Sequence, residues 1–330
     1  MPPTDNAEGQ STDELVRQNE LKSIRYSLKE ITEFLDDDMV TDIWCDSRGV
    51  ISIKSFGGIR TDTKKILSIK TVRSILLQVA KFTEVPIYFD VFASLEGTIP
   101  IWNARITGML PPQTAVPEFT IRKPPKKIFS LEEYVESGRL TPEYYELISS
   151  FIKDGKNIVV SGATGSGKTT FANAILMKMT EYNPAAVFYI IEDNAELQCS
   201  AKYTTYVRVK RNSVQPVMAL ETALRWTPTY LVFGEVRDGK VLYTLLEAFN
   251  TGHPGFTTIH AESCEITLMR MRDMLGQLGL GELPQYNKIV NLIVHLRGDK
   301  ELGCKVDEIL DTANGQGDYI ESLYQKSFRR

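Results

Sequence analysis

Gly162-Ala163-Thr164-Gly165-Ser166-Gly167-Lys168-Thr169-Thr170 decides how this 330-residue chain folds. It fits the pattern G-x-x-x-x-G-K-[ST] without a mismatch. Asn157-Ile158-Val159-Val160-Ser161 before it reads as a buried strand, and Phe171 to Met177 after it reads as a helix. In a strand–loop–helix of this kind the glycines let backbone N–H groups turn inward, and the helix N-terminus adds positive potential for a phosphate. The nine residues Gly162, Ala163, Thr164, Gly165, Ser166, Gly167, Lys168, Thr169 and Thr170 are therefore the expected nucleotide cradle. Lys168 would reach the β and γ phosphates, and the Thr169 hydroxyl would face Mg2+.

Working outward, β and α patterns alternate on the C-terminal side. Strands are expected at 157–161, 187–192, 204–210, 230–234 and 256–260, with helices at 168–181, 216–226, 238–250 and 263–277. Such alternation predicts a mostly parallel sheet covered by helices, with ligands at the carboxyl ends of the strands. Residues 288–297 and two later short strands would close a sheet edge. On the N-terminal side, Leu21, Ile24, Leu28, Ile31 and Leu35 recur at helical spacing, as do Ile69, Val72, Ile75, Leu76 and Val79. Residues 41–45, 50–55, 99–109 and 118–122 read as strands. Lys123-Pro124-Pro125-Lys126-Lys127 suits a solvated linker, since paired prolines continue neither a helix nor a central strand. The expected organisation is a disordered tail at 1–12, an α+β domain at 13–122, a linker at 123–130 and an α/β domain at 131–330.

Composition is that of a soluble globular protein: 42% apolar, 24% charged, net charge −4. The acidic balance argues against a generally nucleic-acid-binding surface. No apolar run approaches a membrane span, and residues 1–10 lack the apolar core of a signal peptide. Cys45, Cys199, Cys264 and Cys304 form no C-x-x-C pair, so no zinc or redox motif is indicated.

Nucleotide hydrolysis needs acids near the metal and a group that positions water. Two expected strands end in acids: Val187 to Ile191 runs into Glu192-Asp193, with Glu196 beyond, and Tyr230 to Phe233 runs into Gly234-Glu235. His260 closes the stretch Thr251 to His260 and can point to the same edge. His295, within an apolar strand, reads as an ordinary structural histidine.

Taken together, these boxes resemble the secretion traffic ATPases of type II and type IV secretion and pilus systems, most of all the conjugal-transfer, TrbB-like branch. The resemblance spans roughly residues 90–300. Gly162 to Thr170 matches the phosphate loop, Ile191 to Leu197 the acidic box, Leu224 to Pro228 with Gly234 to Asp238 the Walker B region, and Asn250 to Ala261 the histidine box. Arg105, ahead of Pro111-Pro112, and Phe119 to Pro124 resemble the segments that bring N-domain arginines to the nucleotide. The resemblance implies a C-terminal RecA-like P-loop NTPase domain behind a smaller α+β, PAS-like N-terminal domain. It implies ATP and Mg2+ as ligands, a homohexamer on the cytoplasmic face of the inner membrane, and other components of a secretion or conjugation machine as partners. No specific nucleic acid is expected.

On that resemblance, Lys168 stabilises phosphate charge, Thr169, Glu235 and Glu192 surround Mg2+, and Glu192 polarises the attacking water. The two glutamates could trade roles. His260 would sense the γ-phosphate, and Arg105 and Arg122 would close the N-domain onto it. Arg225 and Arg237 stay open between a subunit contact and a structural or solvated role. Two departures stand out. Thr229 follows Pro228 where the family commonly has Asp, and Gly239-Lys240 stands where Glu is frequent. The first keeps open a non-hydrolysing, nucleotide-gated scaffold. A type II secretion motor or a pilus retraction motor is the nearest enzyme alternative, although the four-cysteine zinc module of assembly motors is absent.

Overall fold

In the computed structural model, residues 12–55, 59–124, 128–210, 213–280, 284–299 and 302–312 are described. The tail expected at 1–12 lies outside them save for Thr12, as do residues 125–127 of the linker. The chain forms two compact units, Met1–Lys126 and Lys127–Arg330.

The first unit opens with helices α1 (Thr12–Ser27) and α2 (Thr32–Asp36), strands β1 (Val40–Cys45), β2 (Val50–Ser55) and β3 (Arg60–Ile66), and helix α3 (Ile69–Phe82). Strands β4 (Ser94–Ile99), β5 (Ala104–Met109) and β6 (Glu118–Arg122) complete an antiparallel sheet ordered β3-β2-β1-β6-β5-β4. Its core joins the helix stripe Ile24, Leu28, Ile31 and Leu35 to Val72, Ile75, Leu76 and Val79 of α3. The single strand expected over 99–109 is instead a hairpin: the chain turns at 100–103, where Asn103 takes φ 48°, and β4 pairs antiparallel with β5. Lys123, expected in a solvated linker, is buried, and its ammonium donates to the carbonyls of Phe34 and Asp37.

The second unit begins with α4 (Leu131–Glu136) and α5 (Pro142–Lys153), capped by Ser130 and Thr141. Then come β7 (Ile158–Gly162), α6 (Lys168–Tyr182), β8 (Val187–Glu192), β9 (Tyr203–Arg208), α7 (Gln215–Trp226) and β10 (Tyr230–Phe233). Helix α8 (Gly239–Asn250), β11 (Gly255–Ile259), α9 (Cys264–Gly276), α10 (Tyr286–Ile289), β12 (Leu292–Asp299) and β13 (Gly303–Asp311) follow. The sheet order is β13-β12-β7-β11-β10-β8-β9, parallel throughout except for the β12–β13 hairpin at one edge.

Both faces are covered, as a parallel sheet requires. The period of two sorts each strand between two cores. Ile158, Val160, Phe188, Ile190 and Val232 pack with α4, α5 and α6; Val159, Tyr189, Ile191, Leu231 and Phe233 pack with α7, α8 and α9. The four adjacent strands β7, β11, β10 and β8 therefore run the same way and deliver their following loops to one edge.

Candidate nucleotide site

That edge collects the phosphate loop, the acidic box, Gly234 to Asp238 and His260; Leu224 to Pro228 lies before β10, at the other end of the sheet. The phosphate loop leaves β7, the 193–197 turn leaves β8, Gly234 to Asp238 leaves β10 and His260 leaves β11. Gly162, Gly165 and Gly167 take φ of 153°, 76° and 87°, a region that side chains disfavour. The hairpin braces the loop from below. A Cβ on Gly162 would lie 2.5 Å from the Leu296 carbonyl oxygen, and one on Gly167 would lie 2.6 Å from the Cys304 sulfur. Helix α6 starts at Gly167 with no side-chain cap, whereas α4 and α5 on the same face of the sheet are capped by Ser130 and Thr141. Its first N–H groups are thus left for an anion. The Ser166 hydroxyl is buried with no hydrogen-bond partner among the described residues. An orphaned hydroxyl and an uncapped helix start beside a glycine cradle suit a polyphosphate.

Lys168 folds back over its own loop. Its Nζ donates to the Gly162 and Ala163 carbonyls, each at 2.8 Å, and to His260 Nδ1 at 3.0 Å. His260 Nε2 lies 2.8 Å from Glu235 Oε1. An accepting Nδ1 and a donating Nε2 define a neutral imidazole. Burial holds the His260 pKa below its usual value, helped by the Lys168 charge and opposed by Glu235. Burial likewise lowers Lys168 to about 8, with Glu235 and Glu196 acting against it and Arg237 with it. The cradle is therefore short of negative charge. Phosphate would restore the ammonium, so nucleotide binding between about pH 8 and the 10.5 of a free lysine should take up protons. Calorimetry in buffers of different ionisation enthalpy should register that uptake, and Lys168→Ala should abolish it.

The acids divide differently from the sequence expectation. Thr169 Oγ1 donates to Glu196 Oε2 at 3.1 Å. Glu192 is buried, and its Oε2 accepts the N–H groups of Glu196 and Leu197 at 2.9 and 3.0 Å while its other oxygen pairs with Arg208. Glu196, present in the acidic box but given no role from sequence, is the carboxylate beside the phosphate loop. The signal that would have found it is its place four residues past the end of β8, within reach of the loop's hydroxyl. Glu235 stands at the end of β10 between His260 and Arg237, and Arg237 also reaches Asp193 Oδ2 at 3.1 Å. Arg237 thus ties the two acid-bearing loops of one chain together; Arg225 is exposed in the last turn of α7. His295 bonds Ser161 at 3.1 Å between the paired strands β7 and β12, the structural role expected of it.

In the first unit, Arg105 and Arg122 are register partners on β5 and β6. Arg122 Nε donates to Asp42 at 2.9 Å, and Arg105 lies 3.8 Å from Glu96.

Thr229 sits just before β10, at the end of the strand opposite Glu235. Its hydroxyl accepts the Val187 N–H at 3.1 Å, and its own N–H donates to the Val187 carbonyl at 2.8 Å. A side chain there joins two strand starts and does not approach the phosphate loop. The departure from Asp therefore gives no ground for a non-hydrolysing scaffold. Thr229→Asp, which can accept the same N–H, should leave turnover within about twofold of the parent; a phosphate-release assay checks this.

A glycine cradle, an uncapped helix and converging acids at the carboxyl edge of a parallel sheet define a P-loop nucleotide hydrolase. The profile of the type II/IV secretion system protein family matches residues 101–314, and the chain belongs to that family of ATP-hydrolysing traffic ATPases. It is 34% identical to a probable conjugal transfer protein TrbB of Sinorhizobium fredii, over 86% of this chain and 87% of that one. It is 29% identical to the type IV secretion system protein VirB11 of Bartonella quintana, over 92% and 93%. The crystal structure of the pilus retraction motor PilT with bound ADP superposes with a TM-score of 0.63 at 20% identity, covering 93% of this chain and 88% of that one. This last likeness concerns the fold: a RecA-like ATPase domain preceded by an N-terminal domain.

Proposed function

We propose that this chain is the ATP-driven motor of a conjugative-transfer or related type IV secretion apparatus. The observation that carries the chemistry is the meeting of the Thr169 hydroxyl with the Glu196 carboxylate at the mouth of the glycine cradle. The identity to a conjugal transfer protein supports the apparatus.

In this reading Lys168 gives up the Gly162 and Ala163 carbonyls and donates to the terminal phosphates. Thr169, with Glu235 nearby, would hold Mg2+; hydroxyl and carboxylate oxygens suit that ion, which prefers few protein ligands completed by phosphate and water. Mg2+ when bound neutralises phosphate charge and aligns the oxygens. Glu196 orients the attacking water and accepts its proton. His260, released from Lys168, would take a proton on Nδ1 to donate to the terminal phosphate, while Glu235 accepts from its Nε2. The working assembly is a homohexamer bound to the apparatus at the cytoplasmic face of the inner membrane; among the described residues no helix is long and apolar enough to cross a membrane.

Phosphate release from ATP, measured together with particle mass by light scattering, tests this. Mg2+-dependent turnover in a hexamer-sized particle is expected. ATP binding without turnover, or full turnover in a monomer, would contradict it.

A further inference from the structure

Glu192 and Arg208 face each other in the parallel register of β8 and β9. Glu192 is buried and ends the strand that feeds the 193–197 turn, and Arg208 is half-exposed on the edge strand. Their ion pair is one part of a larger tie. Glu192 Oε2 accepts the N–H groups of Glu196 and Leu197. Arg208 Nη1 also donates to the Asn194 carbonyl at 3.2 Å. From the other side, buried Asn173 of α6 donates to the Glu196 carbonyl at 3.2 Å and accepts the Gln198 N–H at 2.8 Å. The turn is thus fixed by its backbone, to β9 on one flank and to the phosphate-loop helix on the other. It carries Glu196 to the phosphate loop, at Thr169.

We propose that Glu192 and Arg208 form a positioning clamp: together they set the backbone of the 193–197 turn so that the Glu196 carboxylate meets the phosphate loop, and neither side chain touches nucleotide. The clamp rests on the assignment of Glu196 as the acid of the site. Its physical basis is that catalysis by a held carboxylate falls steeply with placement: a shift of about 1 Å can cost about a hundredfold. A carboxylate already engaged by two backbone N–H groups and a guanidinium is built to hold the chain, and a neutral amide oxygen can accept the same N–H groups.

The full-length protein is assayed as Glu196→Gln, Glu192→Gln, Arg208→Ala, Arg208→Lys and the double variant Glu192→Gln/Arg208→Ala. Each is read for kcat at saturating Mg2+-ATP and for Kd of a fluorescent ATP analogue. Glu196→Gln should lose at least about a hundredfold in kcat. Glu192→Gln should lose only about fivefold in kcat with Kd unchanged, because the amide oxygen still accepts the turn's N–H groups and Glu196 still supplies the base. Arg208→Ala should lose about tenfold in kcat with Kd changed less than about twofold, Arg208→Lys should recover part of that loss, and the double variant should be no worse than Arg208→Ala. A kcat in Glu192→Gln as low as that of Glu196→Gln would overturn the clamp. So would full turnover in Arg208→Ala while Glu196→Gln is inactive. Full turnover in Glu196→Gln would overturn the Glu196 assignment and the clamp with it. Thermal melting distinguishes these outcomes from unfolding; were Arg208→Ala to melt early, Arg208→Lys and Glu192→Gln still decide the matter.

Discussion

Lys168→Ala should lower kcat for ATP hydrolysis by about a hundred- to a thousandfold, the usual loss when one preorganised cationic or N–H donor is taken from developing oxyanion charge. The variant should nevertheless fold. Lys168 Nζ is held by two backbone carbonyls and a histidine nitrogen in a cradle where burial brings its pKa down to about 8. At neutral pH the native state therefore carries a desolvated cation that the unfolded chain would solvate. Removing it relieves that cost, which offsets the loss of a donor to the buried Gly162 carbonyl, while the Ala163 carbonyl is only part-buried. Thermal melting of Lys168→Ala at pH 7 should fall no lower than that of the parent, so loss of turnover reports chemistry and not misfolding. A kcat within tenfold of the parent would contradict the role given to this lysine.

The largest effect on stability is expected at Gly255, the first residue of β11. A Cβ there would lie 1.7 Å from the Leu231 carbonyl oxygen and 2.7 Å from its carbon, both backbone atoms of the neighbouring β10. Leu231 and Gly255 are register partners in the middle of the sheet, and Leu231 is fully buried between them and α8. Neither strand can yield without moving its other neighbour, β8 or β7. Gly255→Ala should thus cost about 3 kcal/mol, the upper end for overpacking, seen as a lower urea midpoint with unchanged slope. Because β10 ends in Glu235 and β11 leads to His260, the same separation would open their 2.8 Å contact. Turnover should fall even in the fraction that folds.

What was legible from sequence was what local chemistry dictates. The phosphate loop, the strands feeding it and helix starts such as Thr141-Pro142 announce themselves through spacing and capping. Strand β3 did not, because Arg60 to Ile66 is a largely exposed polar strand at a sheet edge without an apolar alternation. The 100–103 turn was hidden by Ile99, Pro100, Ile101 and Trp102, whose apolar character reads as a strand continuing. In the site, Lys168 and Thr169 are legible from the phosphate-loop motif, and Glu235 and His260 from strand ends together with the family resemblance. Glu196 was given no role, since its direction depends on ties to Asn173, twenty-three residues earlier in the chain, and to Glu192. Thr229 misleads for the complementary reason: its place in the Walker B region suggests a bearing on turnover, while the strand carries it to the opposite edge.

The most direct test of the site is a side-by-side initial rate of phosphate release at saturating Mg2+-ATP for the parent protein and Glu196→Gln, with ATP affinity measured in both. Steady turnover in the parent, a drop of at least about a hundredfold in the variant and an unchanged Kd are predicted. Equal rates in the two proteins, or a parent that binds ATP and releases no phosphate, would contradict a hydrolytic site built on Thr169 and Glu196.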